Sequence, residues 1–92
     1  MFTVYVLHSP TYNKIYIGYT SDLTNRLISH NKLATKGYTL RYRPWDLFYF
    51  EEYETKKEAL IREKQLKAGK GREYLWNLIH NRPEIISGFI SA

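Results

Sequence analysis

Residues 2–8, Phe-Thr-Val-Tyr-Val-Leu-His, form an almost unbroken apolar run rich in β-branched and aromatic side chains. Such a run, without polar alternation, is a strand covered on both faces. It constrains the whole fold, because the rest of the chain must supply a layer on each side of it. Turn residues follow in Ser9-Pro10-Thr11-Tyr12-Asn13-Lys14, and a second strand-like run spans Lys14 to Tyr19. The simplest reading is an antiparallel hairpin that carries Tyr5 and Tyr16 as cross-strand neighbours. Gly18, inside the second run, points to a bulge or to a close approach by another backbone.

Beyond the hairpin, Ser21 is placed to cap a helix from Asp22 to about Asn31, with Asp22 in its first turn. Leu23 and Leu27 would face the core, and Arg26 and His30 would neighbour each other one helical turn apart. Lys32 to Pro44 reads as a long basic loop punctuated by Gly37 and Pro44, a length that suggests binding or mobility. A third strand covers Leu47 to Tyr53. Thr55-Lys56-Lys57-Glu58 is a capping box opening a second helix, which reaches about Ala68 and is stopped by Gly69 and Gly71. A short third helix, Arg72 to His80, presents Leu75, Trp76 and Ile79, and Pro83 prevents its simple continuation. The expected architecture is a single α/β domain over residues 1–92, with a core at about 2–80 and a tail at 81–92. Its three strands form a mainly antiparallel sheet flanked by helices, in the order β-β-α-β-α-α.

With 43% hydrophobic residues the chain has the apolar content of a globular protein. It contains no cysteine, which excludes disulfides, thiolate zinc sites and cysteine nucleophiles. Its three histidines are scattered and make no metal cluster in sequence. No signal peptide is visible and no apolar run approaches the roughly 20 residues of a membrane span, so a soluble cytoplasmic protein is expected. The formal charge of +5 favours a polyanionic partner. Charge is also segregated. Acids gather at Glu51, Glu52, Glu54 and Glu58. Lys32, Lys36, Arg41 and Arg43 are unopposed, and Arg62, Lys64, Lys67, Lys70 and Arg72 are opposed only by Glu63. The nucleic-acid contacts expected from these stretches are Lys32, Lys36, Arg41, Arg43, Lys64, Lys67 and Lys70; solvated helix and loop faces are the bland alternative. Nine tyrosines can build a core or stack on bases. Tyr12, Tyr38, Tyr42 and Trp45 either stack on splayed bases or pack the loop against the sheet.

The second helix holds an acid where an apolar residue is expected. Ala59, Leu60 and Leu66 define one arc, and Glu63 falls inside it. An unpaired buried carboxylate costs several kcal/mol, so Glu63 needs a partner, a metal or a cleft. The structural alternative is a snorkelling or salt-bridged Glu63 beside Arg26 or a lysine.

Together these residues resemble the GIY-YIG nuclease superfamily, in particular its small stand-alone bacterial members. Tyr5 matches the first motif tyrosine, with Thr3-Val4 in place of Gly-Ile, and Tyr16-Ile17-Gly18 matches the second motif letter for letter. Arg26 resembles the family's catalytic arginine, His30 the histidine one turn later, and Glu63 the single metal-binding glutamate. Tyr19 stands where some relatives have a lysine. The resemblance runs from Thr3 to about Ala68.

What it implies is a metal-dependent endonuclease that hydrolyses DNA phosphodiester bonds, with a place in DNA repair or recombination. Its catalytic residues would be Tyr5, Tyr16, Arg26, His30 and Glu63. One Mg²⁺ or Mn²⁺ would sit on Glu63, the phosphate and waters. Arg26 would hold the pentavalent charge. A tyrosine or His30 would take the proton from water: Tyr5 as base with Tyr16 as its partner or phosphate contact, or the reverse. Substrate choice would come from the domain's own loops, a homodimer or a protein partner, with no membrane involved. The alternative is a nucleic-acid-binding module of the same fold without turnover; a purely structural or protein-binding role would leave the basic loop and tyrosine pair without a purpose.

Overall fold

The computed structural model describes residues 1–33 and 37–81, with the Leu33 side chain excepted. Lys36 and most of the 81–92 tail therefore lie outside the described residues. The strands are β1 (Phe2–Ser9), β2 (Lys14–Thr20) and β3 (Asp46–Tyr53), and the helices are α1 (Leu23–Ile28), α2 (Tyr38–Arg41), α3 (Lys56–Lys67) and α4 (Gly69–His80). One sheet of order β2-β1-β3 results, with both pairings antiparallel.

The apolar run sits where its composition demands. β1 is the central strand, and Val4, Tyr5, Val6 and Leu7 are all buried. Alternation sends Val4 and Val6 to one face, against Ile15, Ile17, Ala59, Leu66 and Leu75. Tyr5 and Leu7 face the other way, against Trp45, with Leu23 and Leu27 packed on them as expected. The hairpin between β1 and β2 turns through Asn13 at φ 53, a left-handed conformation that asparagine tolerates. The bulge expected at Gly18 is absent from this pairing. It lies instead between β1 and β3, where Val6 pairs with Tyr49 and Leu7 with Leu47, so that Phe48 is the extra residue.

Several boundaries differ from the sequence expectation for local reasons. Asp22, not Ser21, caps α1: its Oδ1 accepts from the Asn25 backbone N–H at 3.2 Å, and its Oδ2 from the Asn25 side chain at 2.6 Å. The helix is α only to Ile28 and continues as one π-helical turn, Ser29–Leu33. The expected basic loop also contains α2, a helical turn that sequence propensity alone does not show. The N-cap half of the capping box at Thr55 forms, with the Glu58 N–H donating to Oγ1 at 3.2 Å, while the Glu58 carboxylate accepts from the threonine hydroxyl at 2.9 Å.

Gly69 and Gly71 do not stop α3 as left-handed caps. A single extended residue, Ala68 (φ −70, ψ 162), ends α3 and opens α4, and both glycines belong to the new helix. Leu75 is fully buried there, with Trp76 and Ile79 packed beside it.

Arg62 is not part of a free basic face. Its guanidinium grips Glu51 on β3 with Nε at 2.9 Å and Nη2 at 3.1 Å, a bidentate pairing that ties α3 to the sheet. The Tyr49 and Tyr53 hydroxyls also donate to Glu51. Burial alone would raise the Glu51 pKa, but the Arg62 fork and the two hydroxyls outweigh it and hold the carboxyl down to about 2. In the sequence Glu51 stands only as one of four gathered acids.

Candidate active site

The site begins with the register of the hairpin. Tyr5 pairs with Gly18, and Tyr16 pairs with Leu7. The two tyrosines are therefore diagonal neighbours rather than directly opposed, with stacked rings 6.2 Å apart. Gly18 is required by a side chain, not by another backbone. A Cβ there would lie 2.7 Å from the Tyr5 Oη and 2.8 Å from its Cζ. The missing side chain at Gly18 leaves the space that the Tyr5 phenol occupies.

The π-helical turn brings His30 to this phenol. His30 is buried, and its Nε2 lies 2.7 Å from the Tyr5 Oη. Its ring also stands 4.7 Å from that of Tyr16. Arg43 braces the turn, donating from Nε to the His30 carbonyl at 2.7 Å and from Nη2 to the Ser29 carbonyl at 3.3 Å. Asn31 fixes the next segment by a two-way exchange with the Trp45 backbone at 2.8 and 3.1 Å. Trp45 is buried and donates its indole N–H to the Thr39 carbonyl at 2.9 Å. It packs this segment against the sheet, and Tyr42 lies against the same cluster.

Arg26, exposed on α1, places its charge near the Tyr5 hydroxyl and pulls its pKa down. The electrostatics of the group follow from this nesting. Burial pushes the Tyr5 phenol up to about 12 against the pull of Arg26, and the Glu63 charge adds to the rise. His30 is held below its ordinary value by burial and by the nearby Arg26 and Arg43 cations. In the tautomer that carries its proton on Nδ1, a neutral His30 accepts at Nε2 from the Tyr5 hydroxyl.

Glu63 projects from α3 with its side chain 16% exposed and its carboxylate 3.4 Å from Lys67 Nζ. The apolar arc that framed it is narrower than expected: Ala59 and Leu66 are buried, but Leu60 is exposed. The lysine partner is the structural alternative raised by the sequence. Among the described residues no three histidine, cysteine or acidic side chains converge on a common point. A lone carboxylate is a donor set that fits Mg²⁺ or Mn²⁺, which keep most of their waters, and not a thiolate- or histidine-seeking ion.

Among the basic residues, Lys67 lines a cleft with Tyr16, Tyr38, Ile15, Ile17 and Arg72. Arg41 lies over the Tyr42 ring at 5.5 Å, with Lys14 at 5.3 Å. Lys70 borders a separate hollow with Glu73, Tyr74 and Asn77, while Lys32 and Lys64 are exposed. Lys14 and Arg72 were not among the expected contacts. Lys14 reads as a strand terminus, and Arg72 takes its place only through its bond to the Lys67 carbonyl at 3.3 Å.

No described helix is long and apolar enough to cross a membrane. The GIY-YIG catalytic domain model matches residues 1–75. A UPF0213 protein of Bacillus velezensis is 42% identical over 66 residues, covering 68% of this chain and 67% of that one. UPF0213 proteins of Bacillus pumilus and Staphylococcus epidermidis are 43% and 45% identical over 53 residues, 58% of this chain and 54% and 65% of theirs. The chain thus spans between half and about two thirds of the length of these relatives. No solved structure matches. With the motif tyrosines set in one hairpin and the family match running through α3 into α4, this chain belongs to the GIY-YIG catalytic domain family.

Proposed function

We propose that the chain is a divalent-cation-dependent endonuclease hydrolysing DNA phosphodiester bonds, acting as one domain in DNA repair or recombination. The observation that carries this reading is the Tyr5 hydroxyl held 2.7 Å from a buried His30, with the Arg26 charge nearby. Hydrolysis forms a bond from water oxygen to phosphorus, breaks the bond to the leaving oxygen, and requires the water proton to be taken up. With a phenol at about 12, Tyr5 is protonated at neutral pH and is a poor base alone. It serves as a relay: Tyr5 accepts the water proton while passing its own to His30 Nε2. Arg26, whose charge lies near that hydroxyl, holds the charge of the transition state. Tyr16, half-buried at the cleft, is the phosphate contact. Glu63 holds the cation, which when bound neutralises phosphate charge and stabilises the leaving oxygen.

The test is a panel of labelled linear, single-stranded and branched DNAs incubated with Mg²⁺ or with EDTA. Products are expected with Mg²⁺ alone, and an Arg26→Ala preparation should yield roughly 10²–10³-fold less, which excludes a contaminating nuclease. Salt-sensitive binding with no cation-dependent product would transfer the reading to a binding module.

The relay also fixes a pH dependence. His30 must be neutral to accept a proton, and its pKa is lowered from 6.5. Single-turnover rates should therefore rise through a midpoint below pH 6.5 and stay level across neutral pH. The same shift affects stability. A histidine with a depressed folded pKa contributes stability above the unfolded value, and this is lost as pH falls through the folded one. Circular dichroism at each pH separates protonation of the relay from unfolding. An acid limb centred at or above pH 7 would rule out His30 as acceptor.

A further inference from the structure

The cleft beside Tyr16 has the composition of a nucleotide subsite. Its walls are the rings of Tyr16 and Tyr38, with centroids 6.3 Å apart and planes at 36°. Tyr38 is an exposed ring held in place: its hydroxyl donates to the Ile15 carbonyl at 3.2 Å, and it stacks on buried Trp45 at 5.8 Å. Lys67 and Arg72 line the same cleft, and the second is oriented by its bond to the Lys67 carbonyl at 3.3 Å. Beyond Tyr38 the aromatic path continues to Tyr42 at 4.8 Å, the ring over which Lys14 and Arg41 lie.

We infer that this cleft binds an unpaired nucleotide of the DNA strand being cut, with its base against Tyr38 and its phosphate on Lys67 and Arg72. The inference rests on the nuclease reading. It names the substrate form: a duplex base already has both faces stacked, so ring faces of the protein are available only to a base outside the helix. Cations and a fixed aromatic ring lining one cleft match the alternation of charge and π-surface along a single strand. Tyr16 belongs both to this cleft and to the catalytic group, which puts the bound nucleotide next to the scissile phosphate.

The experiment is fluorescence anisotropy in EDTA with a labelled short oligothymidylate, an abasic strand of equal length and a matching duplex. Wild type is expected to prefer the oligothymidylate. Tyr38→Ala should weaken that binding roughly tenfold and leave the duplex within about twofold. On the abasic strand the Tyr38 effect should vanish, and Arg72→Gln should weaken all three. Tyr38→Phe, which keeps the ring but loses the bond to Ile15, should bind oligothymidylate like wild type; circular dichroism confirms that each variant is folded. Equal losses on single strand and duplex, a Tyr38 effect that persists on the abasic strand, or no binding to any of the three would overturn the inference. Cleavage without a Tyr38-dependent preference would overturn the cleft and leave the nuclease standing. A Tyr38-dependent preference without cleavage in the Mg²⁺ panel would do the reverse.

Discussion

Glu63→Ala is expected to reduce DNA cleavage by about 10³-fold or more while leaving the domain folded. Two features of the site separate these effects. Among the described residues the carboxylate makes one ion pair, to a half-exposed Lys67 four residues on at 3.4 Å. Pairs of that geometry contribute only ~0.3–0.5 kcal/mol, and alanine is the better helix former, so the melting temperature should move by no more than a few degrees. Catalysis has no such reserve. Among the described residues no cluster of acids or histidines surrounds the position, so no neighbour replaces the lost ligand. Loss of charge stabilisation at the leaving oxygen and of cation placement is worth several kcal/mol, which sets the size of the drop. Gel assays with Mg²⁺ and a parallel melt decide it. Cleavage within tenfold of wild type would remove Glu63 from the proposed machinery, and a collapsed melt would show that it is structural.

The largest expected effect on stability comes from Gly71→Ala. A Cβ at Gly71 would lie 2.2 Å from the Gln65 carbonyl oxygen and 2.6 Å from the Leu66 Cα. Both are backbone atoms of α3, so no rotamer change relieves the contact. The first turn of α4 must lift away, and the interface holding fully buried Leu66 and Leu75 opens with it. Overpacking against backbone should cost about 3 kcal/mol or more. For a chain of this size that lowers Tm by about 15 °C. Gly69→Ala is the matched control. It lies two residues earlier in the same helix with nothing within 4 Å of its Cβ, so it should be neutral or slightly stabilising. Thermal melts of the pair give the answer, and similar Tm values for both would refute close packing at Gly71.

The contrast between these glycines shows where sequence reading stopped. Both look like helix punctuation in the chain, and as residue types they are indistinguishable. One is open to solvent and the other is pressed against a neighbouring helix, and only the α3–α4 contact tells them apart. Gly18 is similar. Its presence signalled an unusual close approach, but that the approaching atoms belong to Tyr5 depends on a register that places the pair opposite each other. Arg62 was assigned to the basic face because its nearest acid in sequence was Glu63. Its partner Glu51 is on β3, eleven residues earlier, and becomes adjacent only when α3 packs on the sheet.

What the chain determined by itself was local or compositional. The doubly covered strand follows from seven consecutive residues, the α3 start from the hydroxyl–acid spacing of Thr55 and Glu58, and the family resemblance from motif letters in order. Each rests on interactions within a few residues, whose free energies are nearly the same in any context. The tertiary structure decided everything that depends on which faces meet: the diagonal placement of Tyr5 and Tyr16, the π turn that turns His30 inward, and the Lys67 that shares Glu63. Arg43 shows it most plainly, since a cation expected to meet phosphate is instead engaged on the carbonyls of Ser29 and His30. Long-range contacts of this kind are selected by the packing of whole elements, whose combined burial outweighs the preferences of any one side chain.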